Sequence, residues 1–166
     1  MKLVKKAHEF AKVAHAGVFR KWSGEPYVEH PARVAAVLEA LHFPEKVVAA
    51  GYLHDVVEDT LVPIDMIEDE FGFEIASLVA QVTKPVMCKA STSRAERKAA
   101  FRKQLAQSSY YGASLKLSDM LDNSANVAKL NPEFAAIYLP ELREDVAVLS
   151  HGNCVLLGKV KKNLKE

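Results

Sequence analysis

The most informative segment of the sequence is His54-Asp55-Val56-Val57-Glu58-Asp59-Thr60, which directly follows the apolar run Val47-Val48-Ala49-Ala50-Gly51-Tyr52-Leu53. An apolar helix of this kind is buried on at least one side. Charged side chains at its end are costly unless they are paired or bind a metal ion. Imidazole and carboxylate groups together are ligands for divalent cations. The stretch therefore predicts a metal site at the end of a core helix.

Two further carboxylates follow the His-Asp pair at helical spacing. Glu58 lies four residues after His54, and Asp59 lies four residues after Asp55. Residues four apart are neighbours on a helix surface, one turn from each other. A continuous helix would therefore place Glu58 and Asp59 beside the metal, where they could meet a water molecule or a substrate. We assign them as the candidate catalytic residues.

The rest of the chain has the apolar spacing of helices, and no convincing strand alternation is found. Prolines and glycines set several boundaries. The predicted helices cover residues of about 2–16, 30–41, 44–60, 63–71, 73–83, 95–107, 112–129 and 133–149. The sequence thus predicts an all-α fold, a compact bundle of about eight helices over residues 1–150. The irregular stretch 84–94 is a candidate lid or connector, and the Lys-rich tail 151–166 is expected to be flexible.

Composition excludes several classes of protein. The chain has 166 residues, 49% of them hydrophobic and 26% charged, and a net charge of +1. This balance predicts no association with nucleic acid or membrane, and it leaves oligomerisation open. Cys88 and Cys154 lack the spacing of a zinc ribbon. The N-terminal residues lack the apolar segment of a signal peptide, and no apolar run approaches the ~18–20 residues of a membrane span. A cytoplasmic protein is expected.

Two more residues are candidate metal ligands. His30 stands at a predicted helix start, immediately before Pro31. Asp119 lies within a predicted helix beside apolar residues, where an acidic side chain needs a reason. Alone, His30 could be an ordinary surface residue at a helix end. Together with His54 and Asp55, however, the set supplies two imidazoles and two carboxylates, enough for a near-octahedral site with positions left for water and substrate.

The order His30…His54-Asp55…Asp119 resembles the H…HD…D signature of the HD superfamily of metal-dependent phosphohydrolases. Flanking motifs are similar to those of the alarmone-hydrolase domain of the RelA/SpoT family. These motifs are Ala14-His15-Ala16-Gly17, Arg20-Lys21, Gly24-Glu25-Pro26-Tyr27, His30-Pro31, the stretch Leu53 to Thr60, Phe71-Gly72, Val82-Thr83-Lys84, Lys116-Leu117-Ser118-Asp119 and Asn123. The resemblance covers residues of about 3–150. The chain has no room for the synthetase and regulatory domains of the long family members, so it is similar to the small stand-alone, MESH1-like hydrolases.

The resemblance implies a nucleotide substrate and an activity. The expected reaction is metal-dependent hydrolysis of the 3′-pyrophosphate of guanosine 3′,5′-bis(diphosphate), ppGpp or pppGpp, to GDP or GTP and pyrophosphate. The implied cofactor is a divalent metal, Mn²⁺ in the family. The implied residues are His30, His54, Asp55 and Asp119 for the metal, Glu58 and Asp59 for the attacking water, Arg20 and Lys21 for the base, and Asn123 for the sugar-phosphate.

The chain departs from the family on one segment. Ala125 replaces the usual Arg, Asp122 stands where His or Tyr is common, and Met120 where Arg or Lys is common. These differences leave two alternatives open. One is an HD phosphohydrolase acting on another nucleotide, such as an adenine alarmone. The other is a catalytically silent, nucleotide-binding regulatory domain. The basic cluster Arg94 to Lys103 is either a solvated helix face or a cover for the 5′-phosphates.

Overall fold

A computed structural model describes residues 2–85 and 93–164. Most of the expected lid over 84–94 therefore lies outside the described residues. The helices are α1 (Lys2–Ala14), α2 (Glu29–Ala40), α3 (Glu45–Leu53), α4 (Val56–Asp59), α5 (Ile64–Phe71), α6 (Phe73–Val82), α7 (Arg94–Ala106), α8 (Tyr110–Ser124), α9 (Val127–Leu130), α10 (Pro132–Ala147) and α11 (Cys154–Asn163). Nine have eight or more residues, and α4 and α9 have four. In the described ranges the only extended pairing is an isolated bridge between Phe19 and Pro26. The all-α prediction is confirmed.

The helix boundaries follow from local sequence. Pro44 and Pro63 precede α3 and α5, where a missing backbone N–H costs no helical hydrogen bond. Gly72 separates α5 from α6 at φ +86°, a backbone conformation that glycine adopts without a Cβ clash. Ser93 is the N-cap of α7 and forms a capping box. Its side chain accepts a hydrogen bond from the backbone N–H of Glu96, and the Glu96 side chain accepts one from the backbone N–H of Ser93.

Helix α3 is the centre of the bundle. It packs against α1, α2, α6 and α8, and all of its residues from Val47 to Leu53 except Tyr52 are buried. A Cβ at Gly51 would lie 3.0 Å from the Cα of Ala35, so the glycine permits the close approach of α2 and α3. The end of α3 is therefore held in the interior, next to the start of α2 and the middle of α8.

Two expected helices are interrupted. The helix that carries the His-Asp pair ends at Leu53, and α4 begins at Val56. His54 and Asp55 form the turn between them, and the backbone N–H of Asp59 bonds to the carbonyl of Asp55 over 2.9 Å. The expected helix over 112–129 is likewise divided into α8 and α9.

The prediction of a flexible tail after residue 150 is wrong for residues 154–164. The side chain of Asn153 accepts hydrogen bonds from two backbone N–H groups at the start of α11, which is the usual arrangement of an N-cap. Leu156, Val160 and Leu164 are buried at four-residue spacing, and α11 packs against α8. The bundle therefore extends past the expected boundary. No described helix is both long and apolar enough to cross a bilayer.

Candidate metal centre and substrate cavity

Three parts of the bundle place the four predicted metal ligands together. His54 and Asp55 lie in the α3–α4 turn, His30 in the first turn of α2, and Asp119 in the middle of α8. Both histidines and Asp119 are buried, and 17% of the Asp55 side chain is exposed. The His30, His54 and Asp55 ligand atoms all lie within 4.8 Å of one another.

The carboxylates face the same nitrogen of each imidazole. Asp55 Oδ2 is 3.3 Å from His30 Nε2 and 3.1 Å from His54 Nε2. Asp119 Oδ1 is 3.2 Å from His30 Nε2 and 3.7 Å from His54 Nε2. All four side chains named from the sequence thus converge on one point.

The imidazole nitrogens test whether a metal fits. Nδ1 of His54 bonds to the carbonyl oxygen of Gly51 over 2.8 Å, and this acceptor requires Nδ1 to carry the proton. His30 Nδ1 similarly faces a carboxylate oxygen of Asp122 at 2.7 Å. Both Nε2 atoms are buried without a hydrogen-bond partner among the described residues. Each Nε2 is therefore the nitrogen left for a metal, and a divalent cation that replaced a proton there would satisfy both atoms.

The electrostatics of the centre reflect mutual pairing. Burial lowers the pKa of His30, but hydrogen bonding of the charged ring to neighbouring carboxylates outweighs it and raises the pKa to about 11. Burial is likewise outweighed at His54, where the charge of Asp55 contributes most to a pKa of about 9. For Asp55 and Asp119, burial favours a higher pKa, but positive neighbours hold the pKa well below its ordinary value. Metal binding to this set would displace protons from the imidazoles.

Hydrogen bonds also orient the carboxylates. The hydroxyl of Tyr27 donates to Asp55 Oδ2 over 2.8 Å. Lys116 Nζ donates to Asp119 Oδ2 over 2.6 Å, and Asn123 Nδ2 donates to Asp119 Oδ1 over 2.5 Å. Asn123 therefore faces the centre, as its position one turn after Asp119 predicts.

The two candidate catalytic carboxylates line a cavity of about 240 Å³ beside the metal ligands. Burial raises the pKa of Asp59, and the charges of Asp55 and Glu58 act in the same direction. Glu58 instead forms an ion pair with Lys84 Nζ and accepts a hydrogen bond from its backbone N–H over 3.2 Å. Asp59 is thus the carboxylate better placed to accept a proton.

A second cavity of about 870 Å³ adjoins the first, and Tyr27, Asn123 and Tyr138 line both. It contains the predicted base contacts, Arg20 and Lys21. Arg20 is not free to stack in this conformation, because one terminal nitrogen donates to Asn123 Oδ1 over 3.1 Å. Its other nitrogens lie 3.9 Å from Glu25 and 3.8 Å from Asp122.

Several residues of this region are not predicted as site residues by the sequence analysis. In the larger cavity, the ring centroid of Phe134 lies 4.6 Å from that of Trp22 and 5.3 Å from that of Tyr138. The four-residue spacing of Phe134 and Tyr138 was a usable helical signal. Asp122 and Arg33 were also missed as parts of the centre, because their contacts join segments 89 residues apart.

The basic cluster on α7 is mainly paired. Arg94 bonds to Glu141, and Lys98 and Arg102 both contact the buried carboxylate of Asp145. Lys98 nevertheless lines the smaller cavity. His15 is buried against Tyr27, and neither ring nitrogen has a hydrogen-bond partner in the described structure.

Comparisons with known proteins agree with this geometry. The HD domain profile matches residues 7–138, so the chain belongs to the HD domain family. A probable guanosine-3′,5′-bis(diphosphate) 3′-pyrophosphohydrolase of Synechocystis sp. is 43% identical over 133 residues, which are 79% of this chain and 17% of that protein. The guanosine-3′,5′-bis(diphosphate) 3′-pyrophosphohydrolase of Haemophilus influenzae is 34% identical over 143 residues, 85% of this chain and 21% of that protein.

A solved structure matches nearly the whole chain. It is a metazoan ortholog of SpoT described as hydrolysing ppGpp, with a TM-score of 0.89 and 29% identity over 99% of this chain and 95% of that one. The chain spans about a fifth of the length of the curated relatives above. The family resemblance seen in the sequence is thereby confirmed.

Proposed function

We propose that the chain hydrolyses the 3′-pyrophosphate of guanosine 3′,5′-bis(diphosphate), releasing pyrophosphate and GDP, or GTP from the pentaphosphate. One observation carries the proposal. Two buried imidazole Nε2 atoms, which have no hydrogen-bond partner within residues 2–85 and 93–164, face Asp55 and Asp119 at the edge of a cavity with two further carboxylates. The relatives named for this activity add support.

His30, His54, Asp55 and Asp119 would hold a divalent metal, and we infer manganese from the mixed imidazole and carboxylate set together with the family resemblance. When bound, such an ion supplies Lewis-acid polarisation of a phosphoryl oxygen and lowers the pKa of a coordinated water. Tyr27, Lys116 and Asn123 hold the two ligand carboxylates in place. These bonds reduce the reorganisation that metal and substrate binding require.

Residues of the chain itself would carry out the remaining steps of the reaction. A water oxygen bonds to the phosphorus next to the ribose 3′ oxygen, and the P–O3′ bond breaks. Pyrophosphate is released, and the 3′ oxygen takes up the proton that the water gives up. Asp59, whose pKa burial raises, accepts the proton of the attacking water on a carboxylate oxygen. Glu58 holds Lys84 at the same cavity, where the ammonium group can neutralise phosphate charge. Positioning and charge neutralisation are the main requirements of phosphoryl transfer.

The larger cavity is proposed as the nucleoside site. Its rings Trp22, Phe134 and Tyr138 offer stacking surface, and Lys21 is exposed at its edge. Arg20 reaches the metal ligands through Asn123, so it would bind and orient the substrate rather than only stack on the base. A cytoplasmic location stays a prediction.

The test is incubation of the chain with manganese and ppGpp, with products resolved by anion exchange. We expect GDP and pyrophosphate in equal amounts, and no turnover after chelation. His54→Ala should lose metal and activity together, whereas Glu70→Gln, a surface carboxylate paired with Lys6, should retain both. Metal binding without turnover of any nucleotide would favour the silent regulatory alternative. Turnover of adenosine 3′-pyrophosphates alone would favour the adenine alternative.

A further inference from the structure

Asp122 binds the back of one metal ligand. Its Oδ2 lies 2.7 Å from Nδ1 of His30, the ring nitrogen opposite the one that faces Asp55 and Asp119. Asp119 and Asp122 are three residues apart on α8, so they project from the same helix face. One helix thus contacts both nitrogens of the His30 ring.

A guanidinium group holds Asp122 in turn. Arg33 Nε donates to Asp122 Oδ1 over 2.6 Å, and a terminal nitrogen donates to Oδ2 over 3.1 Å. The terminal nitrogens also donate to the two oxygens of Glu25, over 2.7 and 3.1 Å. Two-pronged contacts between a guanidinium and a carboxylate fix orientation as well as position.

This arrangement determines which ring nitrogen of His30 can bind a metal. An ionised carboxylate only accepts hydrogen bonds, so Asp122 keeps the proton on Nδ1 and leaves Nε2 as the nitrogen that can exchange its proton for a metal. It also prevents rotation of the ring about its Cβ–Cγ bond. Carboxylates that bond to metal-binding histidines in this way contribute to metal affinity, and their removal typically weakens binding about 10- to 100-fold.

We propose that Asp122, supported by Arg33, is a positioning residue that orients His30 for metal binding. The inference rests on the proposed metal centre. It also gives a role to a position at which the chain departs from the RelA/SpoT pattern. A purely structural ion pair among Glu25, Arg33 and Asp122 is the competing explanation, and it predicts a change in stability without a change in metal affinity.

The experiment is calorimetric titration of chelator-stripped protein with MnCl₂. We expect Asp122→Asn, which keeps the shape of the side chain, to weaken manganese binding about 10- to 100-fold. Turnover should recover as manganese is raised, because Asp122 does not touch the substrate phosphates in this scheme. Glu70→Gln is the matched control, since it also removes a carboxylate from an ion pair, but on the α1–α5 surface.

A second variant keeps the proposal testable if Asp122→Asn folds poorly. Arg33 has 43% of its side chain exposed, so Arg33→Gln should fold. On its own it should weaken manganese binding relative to wild type and to Glu70→Gln, which needs no Asp122 variant. Where Asp122→Asn does fold, adding Arg33→Gln to it should change the manganese Kd little, because the guanidinium acts through the carboxylate. Such non-additivity would support the proposal.

Two results would overturn the inference while leaving the proposed function intact. The first is an unchanged manganese Kd in Asp122→Asn with a lowered thermal midpoint. The second is an equal loss of affinity in Glu70→Gln. If the wild-type chain bound no manganese and His54→Ala made no difference, the metal centre itself would be wrong, and the inference would be overturned with it.

Discussion

The hydroxyl of Tyr27 donates a 2.8 Å hydrogen bond to Asp55 Oδ2, the same carboxylate oxygen that lies 3.1 and 3.3 Å from the imidazole nitrogens of His54 and His30. Tyr27 therefore fixes the rotation of a carboxylate proposed to bind metal, from outside the proposed ligand set. Its ring also lies 4.7 Å from that of His15, so its position does not depend on the hydroxyl alone.

Tyr27→Phe should weaken metal binding while leaving the fold intact. The ring contact remains, and loss of one hydrogen bond typically costs about 0.5–1.5 kcal/mol of unfolding free energy. Losing an outer hydrogen bond to a metal ligand typically costs about tenfold or more in affinity. Manganese titration of Tyr27→Phe beside Tyr52→Phe measures this, because Tyr52 stacks on His8 outside both cavities. Equal affinities in the two variants would contradict the assignment.

Asp59→Asn should remove most turnover and keep the metal. A positioned proton acceptor typically contributes about 100- to 10,000-fold in rate. Glu58→Gln should lose less, because Glu58 is engaged with Lys84. The measurements are kcat and bound manganese for both variants. Wild-type turnover in Asp59→Asn would show that another group takes the proton.

The pH profile gives a second measure of the same residue. Asp59 must be ionised to accept a proton, and burial raises its pKa above the ordinary aspartate value of 3.8. The rate should therefore fall as the pH is lowered through this raised pKa, at a higher pH than for an exposed aspartate. The residual rate of Asp59→Asn should lack this acid limb.

Much of this fold could be predicted from the sequence, because local signals set most helix ends. Pro44, Pro63 and Gly72 mark boundaries that the structure reproduces. The break at His54-Asp55 carries no such residue, and helical spacing continues across it. Tertiary contacts made by the His54 and Asp55 side chains, rather than local helix preference, determine that turn. The α8–α9 break likewise lacks proline and glycine.

Some of the features that the sequence analysis did not predict have a local sequence signal, and others have none. Helix α11 has a local signal, since Leu156, Val160 and Leu164 form a helical apolar stripe, but the lysines around them equally favour an exposed tail. The Asp122–His30 contact has no local sequence signal, because it joins residues 92 positions apart. Asp119 was selected through the family resemblance and its unusual apolar setting. Spacing alone does not reveal long-range convergence of side chains.

His15 provides a test of stability against pH. Burial lowers its pKa below the ordinary value of 6.5, so the unfolded chain takes up a proton at a higher pH than the folded chain. The stability contributed by neutral His15 is therefore present above about pH 6.5 and is lost as the pH falls through the folded pKa. The raised pKa values of His30 and His54 act in the opposite direction.

A difference measurement isolates His15 from those two residues. His15→Phe keeps an aromatic ring against Tyr27 but does not titrate. With a chelator present, the unfolding free energy of wild type minus that of His15→Phe should decrease between pH 7.5 and pH 5.5. Urea unfolding at the two pH values gives this difference. An increase toward acid pH would mean that His15 is charged in the folded protein.

The last prediction concerns the base. Phe134 contacts both Trp22 and Tyr138 and lines the larger cavity, and stacking on an aromatic side chain is worth about 1–3 kcal/mol per base. Phe134→Ala should therefore raise KM for ppGpp about tenfold or more, with a smaller change in kcat, because the base does not react. Phe73→Ala is the control, since Phe73 is exposed and lies outside both cavities.

Stacking contacts the face of a purine and not its edge, so this cavity should discriminate weakly between guanine and adenine. Phe134→Ala should lower kcat/KM for guanosine and adenosine 3′-pyrophosphates by similar factors. Arg20→Ala should behave differently and reduce kcat as well, because Arg20 bonds to Asn123, which bonds to Asp119. The comparison needs kcat/KM for both purines in wild type and both variants. A guanine preference above about a thousandfold would exceed what apolar contacts provide, and would require a hydrogen-bonding group that recognises the base edge.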